Sequence, residues 1–220
     1  MKGYFVTGTD TNVGKTYVTC ALARRAATHG HKVFAFKPIE TGCSAGPEGG
    51  LVGADQELLA EAAGGWQQGP YRGLYRFPLP AAPRVAAAAV QASIDLPRVI
   101  ETAHAGAAQH QVTLTLVEGA GGWRVPITFD ADMSTLARDL GFPVLIVARA
   151  GLGTINHTLL TIEAIQRDGL TLAGVVLSRR ASDDPEAAQS NRAEINRRWP
   201  GLILILDEAI SALDPLVRGL

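Results

Sequence analysis

Apolar and polar positions alternate along this chain in blocks, a short apolar run being followed each time by a longer stretch of helical spacing. Six runs, Lys2 to Val6, His31 to Phe36, Val112 to Val117, Val144 to Ala148, Leu172 to Leu177 and Leu202 to Leu206, are rich in β-branched, aromatic and aliphatic residues. Near-continuous apolar runs of that length predict strands buried on both faces. Helical spacing predicts helices over Tyr17 to Ala27 with an end signal at Gly30, Gln56 to Ala63 opened by Asp55, Ala81 to Ala92 despite Pro83, Leu96 to Gln109, Ile155 to Arg167, Pro185 to Arg198, and a last one from Glu208. Thr41 to Gly46 with Pro47 to Gly53 read as one long polar loop, and Gly64 to Pro80 as turns interleaved with aromatics. Strands alternating with helices specify an α/β fold, a doubly wound, mostly parallel sheet with helices on both faces.

Length and composition narrow this. At 220 residues, 47% hydrophobic and 19% charged, the chain suffices for the core of one α/β domain, taken as residues 1–220. A formal net charge of −1 argues against nucleic acid, and the basic pairs Arg179-Arg180 and Arg197-Arg198 are expected on solvated helix ends. Cys20 and Cys43 have no metal-ligand spacing and are expected as reduced thiols. No N-terminal apolar segment has signal-peptide length and no run approaches a membrane span, so the expectation is no membrane partner and a cytoplasmic compartment.

The chemistry starts where the first strand runs into Thr7-Gly8-Thr9-Asp10-Thr11-Asn12-Val13-Gly14-Lys15-Thr16. A loop turning from strand into helix aims unpaired backbone N–H groups and the positive end of the helix dipole at an anion. Lys15 adds a full charge, and the Thr16 hydroxyl is placed to ligate magnesium, as in the phosphate loop of P-loop nucleotide-hydrolysing folds. Five residues, not the usual four, separate Gly8 from Gly14. Lys37, ahead of Pro38, falls at the C-terminal end of the second strand, the edge where open α/β sheets bind ligands. Glu118 closes the third apolar run and is followed by Gly119-Ala120-Gly121-Gly122, which suits a metal-directed carboxylate with a ligand's backbone contacts behind it. Asp55 is either the N-cap of its helix or a second carboxylate at the metal. Gly151-Leu152-Gly153-Thr154-Ile155-Asn156-His157 follows another strand at a helix start, where N–H groups and Asn156 suit an anion and Thr154 suits an N-cap.

Val6 to Thr16, Lys37-Pro38-Ile39-Glu40-Thr41-Gly42, Val117 to Gly122 and Gly153 to His157 together closely resemble the dethiobiotin synthetases, in order over about three quarters of the chain and including the five-residue spacing. The resemblance implies a homodimeric, magnesium- and ATP-dependent enzyme. It closes 7,8-diaminononanoate and carbon dioxide into the cyclic urea dethiobiotin through a carbamate and a carbamic-phosphoric mixed anhydride. It also implies roles. Lys37, Lys15 and Thr11 are the catalytic candidates, with Thr41 contacting substrate and Gly153, Thr154 and Asn156 holding its carboxylate tail across a dimer interface. Thr16, Asp55 and Glu118 gather around magnesium. Nucleotide falls to Asn12, Val13, Gly14, Lys15, Thr16 and Tyr17 of the loop, to Asp55, Glu118, Gly119, Ala120 and Gly121, and to Ser178.

The chain departs from the family where the base is read. Ser178 stands where the family has an adenine-reading Asn, and Leu204-Ile205-Leu206-Asp207 lacks the family's Gly-x-Ile-Pro turn, so weakened discrimination for adenine is expected. Arg84 replaces a common His. Two other readings share the loop. A cobyrinate amide synthase needs a glutamine-hydrolysing domain for which 220 residues leave no room. A ParA- or MinD-like switch ATPase carries an early loop lysine where this chain has Asp10, and a basic amphipathic anchor that the final helix lacks.

Overall fold

Each of the six apolar runs becomes a strand of one parallel sheet. The structure is a computed structural model that describes residues 2–46 and 49–218. Its strands are β1 (Gly3–Gly8), β2 (Val33–Phe36), β3 (Ile39–Thr41), β4 (Ser44–Ala45), β5 (Leu51–Val52), β6 (Tyr75–Phe77), β7 (Leu114–Gly122), β8 (Val144–Arg149), β9 (Leu172–Ser178) and β10 (Ile203–Leu206). Its helices are α1 (Lys15–Thr28), α2 (Ala54–Ala62), α3 (Pro83–Ala89), α4 (Leu96–Gln109), α5 (Met133–Leu140), α6 (Thr154–Arg167), α7 (Pro185–Arg198) and α8 (Asp214–Val217). The main sheet runs β10-β9-β8-β1-β7-β2 with every pairing parallel.

The two-residue period of the strands sorts their side chains to two cores. Phe5, Phe34, Phe36, Val117, Val144, Ile146 and Val175 face a core closed by α3 to α7. Val6, Val33, Ala35, Leu116, Leu145, Val147 and Val176 face a second core closed by α1, α2 and α8. Both faces are covered, so the runs contain almost no polar residue. Central β1, between β7 and β8, delivers the phosphate loop to the C-terminal edge of the sheet, where crossovers to either side leave a crevice.

Several elements differ from expectation. Pro83 begins α3 rather than interrupting it, because a helix's first turn leaves its N–H groups unpaired anyway. The expected loop after Thr41 contains the antiparallel pair β4 and β5, with Pro47 and Glu48 of that stretch outside the described residues. Within the aromatic turn region β6 pairs in parallel with β3. α5 was unanticipated. The helix expected from Glu208 is a 3-10 turn, Ile210–Leu213, followed by α8. β7 continues through the glycines to Gly122, so Glu118 lies inside a strand and not at its end.

Candidate active site

The loop after β1 reaches α1 through two left-handed residues, Asn12 (φ 58°) and Gly14 (φ 100°). Gly14 is the N-cap of α1 and offers no side chain, so the N–H groups of the first turn stay open to a ligand. A Cβ on Gly8 would lie 2.7 Å from the Asp10 carbonyl and 2.9 Å from Lys15 Nζ. The loop closes tightly over that lysine. Lys15 is 7% exposed and its Nζ donates to the Asp10 carbonyl at 3.0 Å. Burial, reinforced by the neighbouring Lys37 charge and opposed by Glu118 and Asp55, pushes its ammonium down to about 8.

β2 and β7 bring two further groups to this crevice. Lys37 follows β2, and its ammonium is shared between Asp55 Oδ2 and Glu118 Oε1, the latter at 3.0 Å. Glu118 is fully buried, and the same Oε1 accepts from Thr16 Oγ1 at 2.8 Å. Burial is the largest single influence on Lys37 and works against its charge, yet the two carboxylates and their hydrogen bonds together outweigh it and raise its pKa. Glu118 Oε2 is buried with no hydrogen-bond partner. An orphaned carboxylate oxygen beside a hydroxyl and a second carboxylate is a hard oxygen set that fits a divalent cation completed by phosphate oxygens. Among the described residues no three His, Cys, Asp or Glu side chains cluster for a metal. A cation that relies on one or two carboxylates plus phosphate needs no such cluster.

Asp55 is not the N-cap of α2. Gly53 is, and without a side-chain bond of its own. The capping acceptor comes from elsewhere: both oxygens of Glu40, on β3, accept N–H groups of that helix, from Asp55 at 3.0 Å and Gln56 at 2.9 Å. Gln56, fully buried, donates to the Lys37 carbonyl at 3.0 Å.

Thr11, Asn12, Gly14, Lys15, Thr16, Tyr17, Lys37, Thr41, Asp55, Ala120 and Gly121 line one cavity of about 820 Å³, together with Pro80 to Pro83, Val125 and Arg180. Val13, Glu118 and Gly119 do not line it, but Glu118 is bonded to two residues that do, Thr16 and Lys37. Ser178 lines an adjoining cavity of about 410 Å³ with Gly14, Tyr17, Arg179, Arg180, Asp207 and Glu208. Gly153, Thr154 and Asn156 stand apart from both, at the start of α6. Gly153 is the N-cap there, while the buried Thr154 hydroxyl pairs with Thr158 at 3.3 Å instead of capping. Arg84 lays its guanidinium over Phe129 at 4.6 Å.

Sequence reasoning assigns no role to Glu40, although it lies within Lys37-Pro38-Ile39-Glu40-Thr41-Gly42, and it puts Arg179 and Arg180 on a solvated helix end. Both arginines follow β9 at the ligand edge, and Arg180 donates to the Asn12 carbonyl at 3.2 Å. Their position directly after an apolar run was the available signal. Arg197 and Arg198 do sit in the last turn of α7, paired with Glu194.

A family model described as an AAA domain matches residues 2–204. The chain is 48% identical over 199 residues to the ATP-dependent dethiobiotin synthetase BioD of Anaeromyxobacter dehalogenans (strain 2CP-C), a match covering 90% of this chain and 85% of that protein. It is 43% identical over 187 residues to the enzyme of the same name from Nitrosospira multiformis, covering 85% and 78%. Among solved structures, chloroplast FtsY from Physcomitrella patens superposes with a TM-score of 0.57 at 17% identity over 99% of this chain and 64% of that one. The MinD cell division protein of Aquifex aeolicus gives 0.54 at 16% identity over 100% and 87%. At such identities the superpositions speak for the P-loop fold alone.

Proposed function

The chain belongs to the ATP-dependent dethiobiotin synthetases, ligases of biotin biosynthesis, and from that premise we propose how its cavity joins carbon dioxide to 7,8-diaminononanoate. The observation that carries the reading is the convergence of Lys15, Lys37, Thr16, Asp55 and Glu118 on one cavity that also exposes Thr11 and Thr41. One amine of the diamine adds to carbon dioxide and loses a proton, giving a carbamate. A carbamate oxygen attacks the γ-phosphorus as the bond to the ADP oxygen breaks. The second amine then attacks the carbonyl carbon, phosphate leaves with the electrons of the C–O bond, and the amine proton goes to solvent.

Carbamate and phosphate are both anions, and two unit charges at contact repel by several kcal/mol wherever water is excluded. Lys15 from the loop and Lys37 from β2 supply the opposing charge from two sides of one cavity. Lys15 is already largely dehydrated by burial, the main cause of its lowered pKa, so little hydration remains to be lost when an anion pairs with it. Thr16, Asp55 and Glu118 would hold magnesium, which would supply charge neutralisation for the bound phosphates. Thr11 and Thr41 are assigned to the diamine.

Gly153, Thr154 and Asn156 are assigned to the substrate's carboxylate tail in a second copy's cavity. Their separation from their own chain's cavity supports this, as does Leu152 beside them, a fully exposed apolar side chain. Within this chain the Thr154 N–H donates to the Gly151 carbonyl at 3.3 Å and its hydroxyl pairs with Thr158, so the side chain of Asn156 is the polar group assigned to the tail. The test is ADP release with product analysis. Release should require both diaminononanoate and bicarbonate and yield dethiobiotin in equal amount. Hydrolysis indifferent to both refutes the reading and favours a nucleotide switch.

A further inference from the structure

We infer that Glu40 is a positioning residue for the cation half of the site, acting through Asp55. The inference rests on the reading that Asp55 helps hold the divalent cation. Glu40 touches no ligand-facing surface. It is 6% exposed, and by alternation on β3 it points away from the face that carries Thr41 to the cavity. Both carboxylate oxygens are spent on the backbone N–H groups of Asp55 and Gln56. These are the groups that a helix N-terminus leaves unpaired, and a carboxylate there is also favoured by the helix dipole.

The surroundings are shaped to hold that carboxylate. A Cβ on Gly53 would lie 2.5 Å from Glu40 Oε2, so the residue preceding α2 must be a glycine for Glu40 to reach. Gln56 ties the same turn to the Lys37 carbonyl and to the Tyr75 carbonyl, and a Cβ on Gly73 would lie 2.1 Å from its amide. The first turn of α2 is thus anchored at two successive residues, and the backbone of Asp55 is one anchor. Its carboxylate faces Lys37, and Lys37 faces Glu118. Displacing Glu40 therefore moves Asp55 relative to Glu118, the spacing on which a two-carboxylate cation site depends. A glutamine keeps one acceptor oxygen and turns an NH2 donor toward the other N–H, which weakens the anchor on the first turn of α2 and loosens Asp55.

The experiment measures Mn2+ binding by electron paramagnetic resonance to the full chain saturated with a non-hydrolysable ATP analogue. Glu40→Gln should weaken Mn2+ binding about tenfold, as loss of a partner behind a metal ligand does. Gly53→Ala, which crowds Glu40 without removing it, should do the same, so the result does not depend on one variant folding. In an Asp55→Asn background neither change should weaken Mn2+ further. Binding as tight as wild type in Glu40→Gln and Gly53→Ala, with only a lower Tm, overturns the role, since a mere helix cap predicts that. A tenfold loss that persists on top of Asp55→Asn also overturns it. If Asp55→Asn alone binds Mn2+ like wild type, Asp55 itself is misassigned and the role of Glu40 falls with it.

Discussion

Lys37→Met removes one charge from a three-membered cluster in which Lys37 and Glu118 are buried and Asp55 is partly exposed, and keeps most of the side chain's volume. At 3.0 Å the attraction between Lys37 and Glu118 is about 5 kcal/mol at an effective dielectric near 20. Glu118 is fully buried and cannot turn to water for replacement. Removing one partner of such a pair costs on the order of 3 to 5 kcal/mol, because the remaining charge is stranded. For 220 residues the unfolding entropy is about 0.46 kcal/mol/K, so the expected fall in Tm is about 7 to 11 °C. The measurement is differential scanning calorimetry in chelator. Glu118→Gln in the same background should recover much of the loss, since the stranded charge is then gone. Adding magnesium to Lys37→Met should also stabilise it, by about 1.4 kcal/mol or 3 °C at tenfold excess over its dissociation constant. Turnover should be abolished and nucleotide affinity largely retained, because Lys37 lies outside the loop. A variant melting within about 2 °C of wild type in chelator would refute the cluster's energetics, and an equal loss of nucleotide binding would refute the assignment of Lys37 to chemistry.

The proposed dimer with Leu152 at its interface is tested by Leu152→Asp, which should raise the dissociation constant at least about 30-fold, seen as monomer by light scattering at low micromolar protein, with turnover lost and ATP still bound; an association state unchanged from wild type refutes that placement. Ser178 offers one hydroxyl where an amide would make a paired contact, so kcat/KM for CTP and GTP should fall within about tenfold of that for ATP, and a much larger preference for ATP refutes it. The Arg25 hydrogen bond holds Asp214 down to about 2, below its unfolded value of about 3.9. A depressed carboxylate stabilises fully above the unfolded pKa and loses that contribution as pH falls through the folded one. The Tm advantage of wild type over Asp214→Asn should therefore be constant above about pH 5 and vanish near pH 1; an advantage that persists undiminished to pH 1 would show that the carboxylate's charge is not its source.

What was legible along the chain follows from how local each determinant is. The starts of α4 and α7 are legible because Asp95 and Asp184 cap them through N–H groups two or three residues on, each with a proline in the first turn. α5 carries an equally local signal, the Asp132 and Thr135 capping box and Gly141 after its last turn, though it is only eight residues long. β3 and β6 are three residues each and are strands only through one another, 36 positions apart by register, so no window along the chain contains their cause. The same division runs through the site. The phosphate loop is contiguous, so its pattern can be read letter by letter, and Lys37 and Glu118 are legible as candidates because each directly follows an apolar run that leads to the ligand edge. Glu40 acts on backbone groups 15 and 16 residues away, and Arg180 became a cavity residue only once β9 was placed beside β8. Residues that act on a ligand announce themselves by type and by strand end. A residue that acts on another residue has no such signature, because its work is defined by a distance that exists only after folding.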